Sequence, residues 1–432
     1  MKQFRPRYVL LLTIFIIVTL FKIVPGLGSV YTFRIYPTIA RLLSPIPNLL
    51  PFAVGDLFIT ISIAWVIIYP IYAIWYKKRK KLPTFLRIAE YLGWVYVWFY
   101  AAWGLNYSQP NIYSRLRMRP VEVENSAFRA FAYSYADSLN ATYLQASKLS
   151  NITKDSAAVK RNLHYATSST LKLLTQQAIL LGYTNLRNMG INRPFNRQAH
   201  AKPMLFSRLA SMAGITGSMA PFFCEFTLNS DILPHEYPAI YAHEYAHFLG
   251  IANEGEANFY SYVTCTSSTD CTIRFSGYYQ IFFHVLRNVY DLLGETERKT
   301  FICHIRPEII RLAQSDRQYW LSRHSPIVDS TQNFFYNLYL KGNRVEGGIK
   351  SYSGVIGIIM SWNYSLKRRF TTAGLPAARE SAGMSRTTTL PAAMMERAPM
   401  LTPGHTVTPP PSQQSSPIVI GKHVSTGRRR SS

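Results

Sequence analysis

Acidic residues are scarce in this chain of 432: Asp and Glu number 22 against 47 Lys and Arg, for a formal net charge of +25. Cysteine is scarcer, with four in the whole sequence and no Cys-x-x-Cys pair. That excludes a disulfide-stapled scaffold and a zinc knuckle. The sequence also lacks an internal repeat, which removes solenoids and propellers. Charged residues make up only 16% and hydrophobic ones 48%. A wholly disordered chain is excluded too, because that much apolar surface must be buried. A mean hydropathy near zero points to a protein partly in lipid and partly in water.

The basic excess is clustered. Lys77, Lys78, Arg79, Lys80 and Lys81 directly follow an apolar run, and the tail beyond Ser365 carries a net +8. Basic clusters beside apolar segments set membrane orientation and attract anionic lipid heads. With no nucleic-acid-binding motif present, the implied partner is a lipid bilayer and not nucleic acid.

Three apolar runs crowd the first quarter, and they predict transmembrane helices at about 8–24, 52–76 and 88–107. The third carries Trp94, Trp98 and Trp103, residues that favour membrane boundaries. A cleavable signal peptide is the rival for the first run, although no good small-x-small site follows. An interfacial aromatic helix is the rival for the third. Lys and Arg number nine in the N-terminus plus 77–90, against five in 25–50 plus the stretch after the third run. The basic hairpin is therefore expected in the cytoplasm and everything after Tyr107 outside it. That implies a multi-pass protein of the cytoplasmic membrane with an extracytoplasmic C-terminal domain.

Beyond Tyr107, two long helices with polar faces are predicted between 125 and 182. Short strands are predicted at 204–209 and 218–228, separated by a turn bearing Gly214 and Gly217. Helices follow from Pro238 to Trp362, with breaks near Gly250, Gly277, Pro307 and Gly342. From about 367 the composition turns to Pro, Ser, Thr and Arg, which predicts a disordered tail.

One segment carries chemistry. Residues 243–247 read His-Glu-x-x-His, and residues four apart share a helical face, so His243 and His247 can direct two imidazoles at one Zn2+. Glu244 can take a proton from a water in the fourth position. Pro238 suits the helix start and Gly250 its stop. Glu254 follows as the third ligand candidate, with Asn258 one turn on and able to bond a ligand imidazole. Glu256 points to a different face and is the weaker candidate.

The segment resembles the zinc-peptidase superfamily whose third ligand is glutamate, the gluzincins, with Asn258 replacing the usual Asp of Glu-x-x-x-Asp. The stretch from Arg7 to Lys367 also resembles an uncharacterised bacterial family of three-span membrane proteins. That likeness runs through Trp103–Tyr107, Gly214, Gly217, Pro221, Phe222, Glu225, Asn229, His243 to Asn258, 339–343, Ser351 and Tyr352. These resemblances imply a membrane-anchored α+β protein: three N-terminal transmembrane helices in 1–107, a mainly helical zincin-like domain with a small β-sheet in 108–366, and the tail in 367–432.

In zinc peptidases a strand beside the active helix holds substrate extended, and 219–228 is the candidate, with Glu225 either at its cleft-facing edge or as a plain polar strand end. Tyr352 is the expected oxyanion donor, with Tyr260 or Tyr262 behind it. His200, His284 and His304 are alternative ligands, while His235 reads as a loop residue. Cys265 and Cys271 are spaced for a disulfide. The expected function is a membrane-anchored zinc metallopeptidase acting on a peptide or protein substrate. The competing readings are a non-catalytic protein whose structural zinc holds an envelope-binding domain, and a lipid-surface scaffold.

Overall fold

The computed structural model describes residues 6–121, 125–149, 168–186, 188–195, 199–328, 330 and 354–372. The expectations for 339–343, Ser351, Tyr352 and the tail beyond 372 lie outside the described residues.

Helix α1 (Pro6–Ile23) is followed by α2 (Tyr36–Leu43) and α3 (Val54–Ile71), which a π-helical turn extends to Tyr76. Helix α4 (Lys81–Ala102) completes the N-terminal group. Two stretches, Pro6–Ile23 and Val54–Tyr76, are long and apolar enough to cross a membrane, and almost none of either is buried within the protein. The third expected span differs. Its helix starts at Lys81, carries Arg87 and Glu90, and ends at Ala102. Residues Gly104–Ser108 form a tight 3-10 turn, and Trp103 and Asn106 are buried in the main body. The apolar run continued past the helix because those residues pack against protein. α4 lies against α1, tied by Arg7 Nε to Glu90 Oε1 at 2.9 Å and Lys22 Nζ to Tyr100 Oη at 3.0 Å.

The remainder is mainly helical with one small sheet. Its strands β1 (Lys202–Pro203), β2 (Gly217–Ala220) and β3 (Glu225–Leu228) lie in the order β1-β3-β2. β2 and β3 form an antiparallel hairpin with Gly217 opposite Leu228 and Ala220 opposite Glu225, while β1 runs parallel to β3. The strand expected at 204–209 is replaced by a turn and helix α7 (Ser207–Met212), with Leu205, Phe206 and Leu209 exposed. The single strand expected at 218–228 is folded in two at Pro221–Cys224, where Cys224 adopts φ +50°. The apolar turn disguised that reversal.

The two polar-faced helices appear as α5 (Asn125–Leu149) and α6 (Ser169–Asn185). At the centre lie α8 (Tyr237–Phe248), in which His243 alone is not buried, and α9 (Glu254–Thr266), buried throughout. Helices covered on every side belong to a core, which is why neither shows a clean amphipathic stripe. α10 (Cys271–Tyr279) crosses α9 at Gly277, where a Cβ would stand 2.6 Å from that of Cys265. Gly277 thus marks a close helix approach, and the expected break follows just beyond it, between Tyr279 and Phe282. All four cysteines are free. The expected Cys265–Cys271 bridge is not formed, because Cys265 is buried within α9 with its thiol toward the Pro238 carbonyl. Helices α11 (Phe282–Leu292), α12 (Glu295–His304), α13 (Pro307–Leu321) and α14 (Val355–Thr372) close the body. One hydrophobic core joins Val18, Tyr36 and Trp103 to Phe226, Tyr241 and Phe248, so packing crosses the boundary expected at 107/108.

Candidate metal centre

α8 begins with Pro238 in its first turn, where a missing N–H costs nothing. It ends before Gly250, whose φ of +95° lets the chain turn back. α9 then starts at Glu254, with Asn253 capping the Glu256 N–H. These two helix ends place three donors together. His243 Nε2 lies 3.0 Å from His247 Nε2 and 3.1 Å from Glu254 Oε2, and His247 Nε2 lies 3.2 Å from Glu254 Oε2. A tetrahedral ion with ligands at about 2.0 Å has donor–donor edges of about 3.3 Å, so the triangle fits one face of a zinc coordination sphere. Nδ1 of His247 donates to the Ile251 carbonyl at 2.6 Å, which in the neutral imidazole gives Nε2 the lone pair a metal would take.

Electrostatics favour a cation here. Burial penalises the Glu254 carboxylate, but His247 and His243 hold it well below the usual carboxylate range. Burial opposes charge on His247 as well. Glu254, through its charge and hydrogen bond, outweighs that effect and lifts the imidazole to about 9. A proton thus stands in where a metal cation would satisfy the same carboxylate.

The last carbonyls of a helix lack intrahelical partners, and here other segments supply donors. Trp103 Nε1 reaches the His247 carbonyl at 2.9 Å and Tyr36 Oη the Phe248 carbonyl at 2.7 Å. Asn192 Nδ2 reaches the Leu249 carbonyl at 2.9 Å and Gln109 Nε2 the Gly250 carbonyl at 2.7 Å. Four side chains from distant segments hold the end of the helix that carries His247.

Glu244 is buried against β2. A Cβ at Gly217 would stand 2.4 Å from Glu244 Oε1, so only glycine admits the carboxylate there. Burial raises the Glu244 pKa; His243 and His247 partly offset it, and Glu254 adds to it. Asn229 fixes the chain leading into β2 through bonds to Ser211 Oγ and the Ile215 carbonyl. Among the described residues no strand pairs with the outer edge of β2.

Other expectations fare differently. Glu256 is turned away from the triangle, bonded to Arg115 and the Ile112 N–H. Glu225 is no cleft residue: it is buried against Lys202 and the Gly55 N–H. Asn258 is buried, yet neither amide atom bonds within the described residues, nor does His243 Nδ1. The bond expected from Asn258 to an imidazole is absent, and the Ile251 carbonyl orients His247 in its place. Tyr260 donates to the Met189 carbonyl and Tyr262 is buried in the core. His284 is buried and lowered to about 3 by that burial, and His304 pairs with Asp137. Neither these two nor His200 joins the triangle.

A second cluster was missed. His235, read as a loop residue, lies 2.8 Å from Asp316 Oδ2, with Glu236 close by. Tyr279 also donates to Asp316, and Trp320 Nε1 to Glu236. Asp316 lies 81 residues away, so no local signal could pair it. Burial, reinforced by Asp316, raises Glu236 to about 7. Burial lowers the His235 pKa, but Asp316 outweighs it and the net shift is upward. A carboxyl raised on folding binds more protons folded than unfolded, so its stabilisation fades as pH climbs from about 4.5 to about 7. The raised His235 acts in the same direction, losing its contribution as pH rises through its folded pKa. Thermal unfolding of the full chain between pH 5 and 8 should carry this downward slope, offset below pH 6.5 by His284, whose lowering favours stability as pH rises. Glu236→Gln should shift the net slope upward. An unchanged slope in the variant would rule out Glu236 as its source.

A family model described as a protein of unknown function (DUF3810) matches residues 31–360. No curated protein matches the chain, and no solved structure does.

Proposed function

This chain belongs to the DUF3810 family, and from that premise we propose that it is a membrane-anchored zinc-dependent metallopeptidase hydrolysing peptide bonds outside the cytoplasmic membrane. The observation that carries this reading is the triangle of His243, His247 and Glu254 donors, with edges of 3.0–3.2 Å, beside a buried carboxylate that is not one of its corners. Three protein donors suit a catalytic centre with an open position, whereas a structural zinc usually takes four. A zinc ion held there supplies Lewis acidity and lowers the pKa of water toward ~7. Glu244, its pKa raised by burial, accepts the water's proton and returns it to the departing amine. The free edge of β2 holds the peptide extended across Gly217.

The membrane reading rests on α1, on α3 with its π-helical extension, and on α4 as a third crossing. The charged residues of α4 sit in its first half, and Glu90 is paired with Arg7 of α1. The Lys77–Lys81 cluster at the far end of Val54–Tyr76 sets that end in the cytoplasm and the main body outside.

The full chain purified in detergent should carry about one zinc per molecule. Glu254→Ala should weaken zinc binding on the order of 100-fold or more, since loss of an outer partner alone costs 10–100-fold. Zinc retained at wild-type affinity in that variant would remove Glu254 from the ligand set.

A further inference from the structure

β2 connects two places. At one end Gly217 lies against Glu244, and at the other Ala220 lies so close to Gly55 that a Cβ on Gly55 would stand 2.5 Å from that of Ala220. Gly55 belongs to the first turn of α3, the more apolar of the two membrane-crossing stretches. Three residue steps of a strand cover about 10 Å. The candidate general base is thus about that far from the point where α3 begins.

The surface around that point is apolar and exposed. Leu205, Phe206 and Leu209 are 46%, 50% and 55% accessible, and Leu49 and Phe52 are exposed beside them. The two segments are joined to each other and to α3. The Lys202 ammonium, itself buried, donates to the Pro47 and Phe52 carbonyls, and the Leu205 N–H donates to Asp56 Oδ2 in the first turn of α3 at 2.9 Å. This collar is continuous with exposed Leu57, Ile59, Ile61 and Ile63 on α3. Arg208, within the collar, is exposed as well, suited to reach phosphate groups while its neighbours enter the acyl boundary.

We infer that residues 205–209, with Leu49 and Phe52, seat in the headgroup–acyl boundary of the bilayer that α3 crosses, and that the substrates are membrane-anchored polypeptides cut within a few residues of that surface. The occupant of the collar is lipid, because the collar continues the lipid-facing surface of α3 without a break. The substrate class follows from the strand. A peptide extended along β2 runs from Glu244 toward Gly55, so its far end arrives at the membrane. The seating rests on the membrane reading of α3; the substrate class rests on the metallopeptidase reading as well.

The test uses the full zinc-containing chain in phosphatidylethanolamine–phosphatidylglycerol vesicles. In a Cys271→Ser, Cys303→Ser background, Phe206→Cys carries a nitroxide, and Lys299→Cys, on the exposed face of α12, serves as the water control. Power saturation should show Phe206 accessible to oxygen and shielded from a water-soluble nickel chelate, with the control the reverse. A Phe206 nitroxide as open to nickel as the control overturns the seating, whatever the activity. In parallel, one peptide sequence is offered free and fused at several distances from a transmembrane anchor. Cleavage should be on the order of tenfold or more faster for anchored copies, since tethering raises effective concentration, and fastest nearest the anchor. Equal cleavage of free and anchored peptide overturns the substrate class. No cleavage of either, with Phe206 in lipid, removes the peptidase reading and the substrate class with it, while the seating stands.

Discussion

Glu244→Gln is expected to keep the fold and the zinc while lowering peptide hydrolysis by about 10²–10⁴. The carboxylate is buried against Gly217 and lies outside the donor triangle, so an amide of nearly equal shape occupies the same space without disturbing a ligand. What the amide cannot do is accept the water's proton. His243→Ala should behave differently, losing zinc and hydrolysis together, because it removes one of the three donors. A peptide-library digestion with wild type, both variants and a chelator control separates the two effects. Wild-type rates from Glu244→Gln would sink the general-base mechanism even with zinc bound.

The second large effect concerns a carboxylate two residues from the proposed ligand Glu254. Glu256→Ala should destabilise the full chain by about 3–5 kcal/mol, the cost of stranding a buried charge. Arg115 Nη2 and Glu256 Oε2 are 2.6 Å apart with both side chains almost wholly covered. Burial works against the Arg115 guanidinium, yet Glu256 keeps it charged. The remaining Arg115 donors are tied to the Gly190 and Pro110 carbonyls, so the charge cannot swing out to water. Thermal unfolding in detergent should show a marked drop, while protein that stays folded keeps its zinc. Melting indistinguishable from wild type would mean that Arg115 finds solvent or another partner. Zinc lost from folded Glu256→Ala would make Glu256 the ligand.

The grouping of His243, His247 and Glu254 was legible because everything that builds it is local. Two histidines four apart, a proline at one helix end, a glycine at the other and a glutamate at the start of the next helix lie within 17 residues, and helical periodicity converts that spacing into a shared site. What was not legible depends on distant partners. Nothing near Glu256 announces Arg115, and nothing near His235 announces Asp316. Trp103 read as a membrane-boundary aromatic, yet it donates to the His247 carbonyl, a partner 144 positions away. The hairpin was missed for a different reason. Its turn, Pro221–Cys224, is packed on Phe58 through Phe222 and Phe223, so it needed apolar residues where an exposed turn would carry Asn or Asp.

The four side chains that close the end of α8 have a consequence for how the protein comes into being. Tyr36, Trp103 and Gln109 belong to segments between and just beyond the N-terminal helices, and Asn192 to a loop that also binds the Thr32 carbonyl. The N-terminal segments leave the ribosome before His243, His247 and Glu254 do, so the helix carrying His247 is made after all four donors that close its end. Gly250 and Ile251 hold the His247 carbonyl and imidazole locally, whereas the Phe248, Leu249 and Gly250 carbonyls depend on those earlier segments. The donor triangle therefore closes onto a frame already synthesised, and its shape depends on side chains as far as 212 positions upstream.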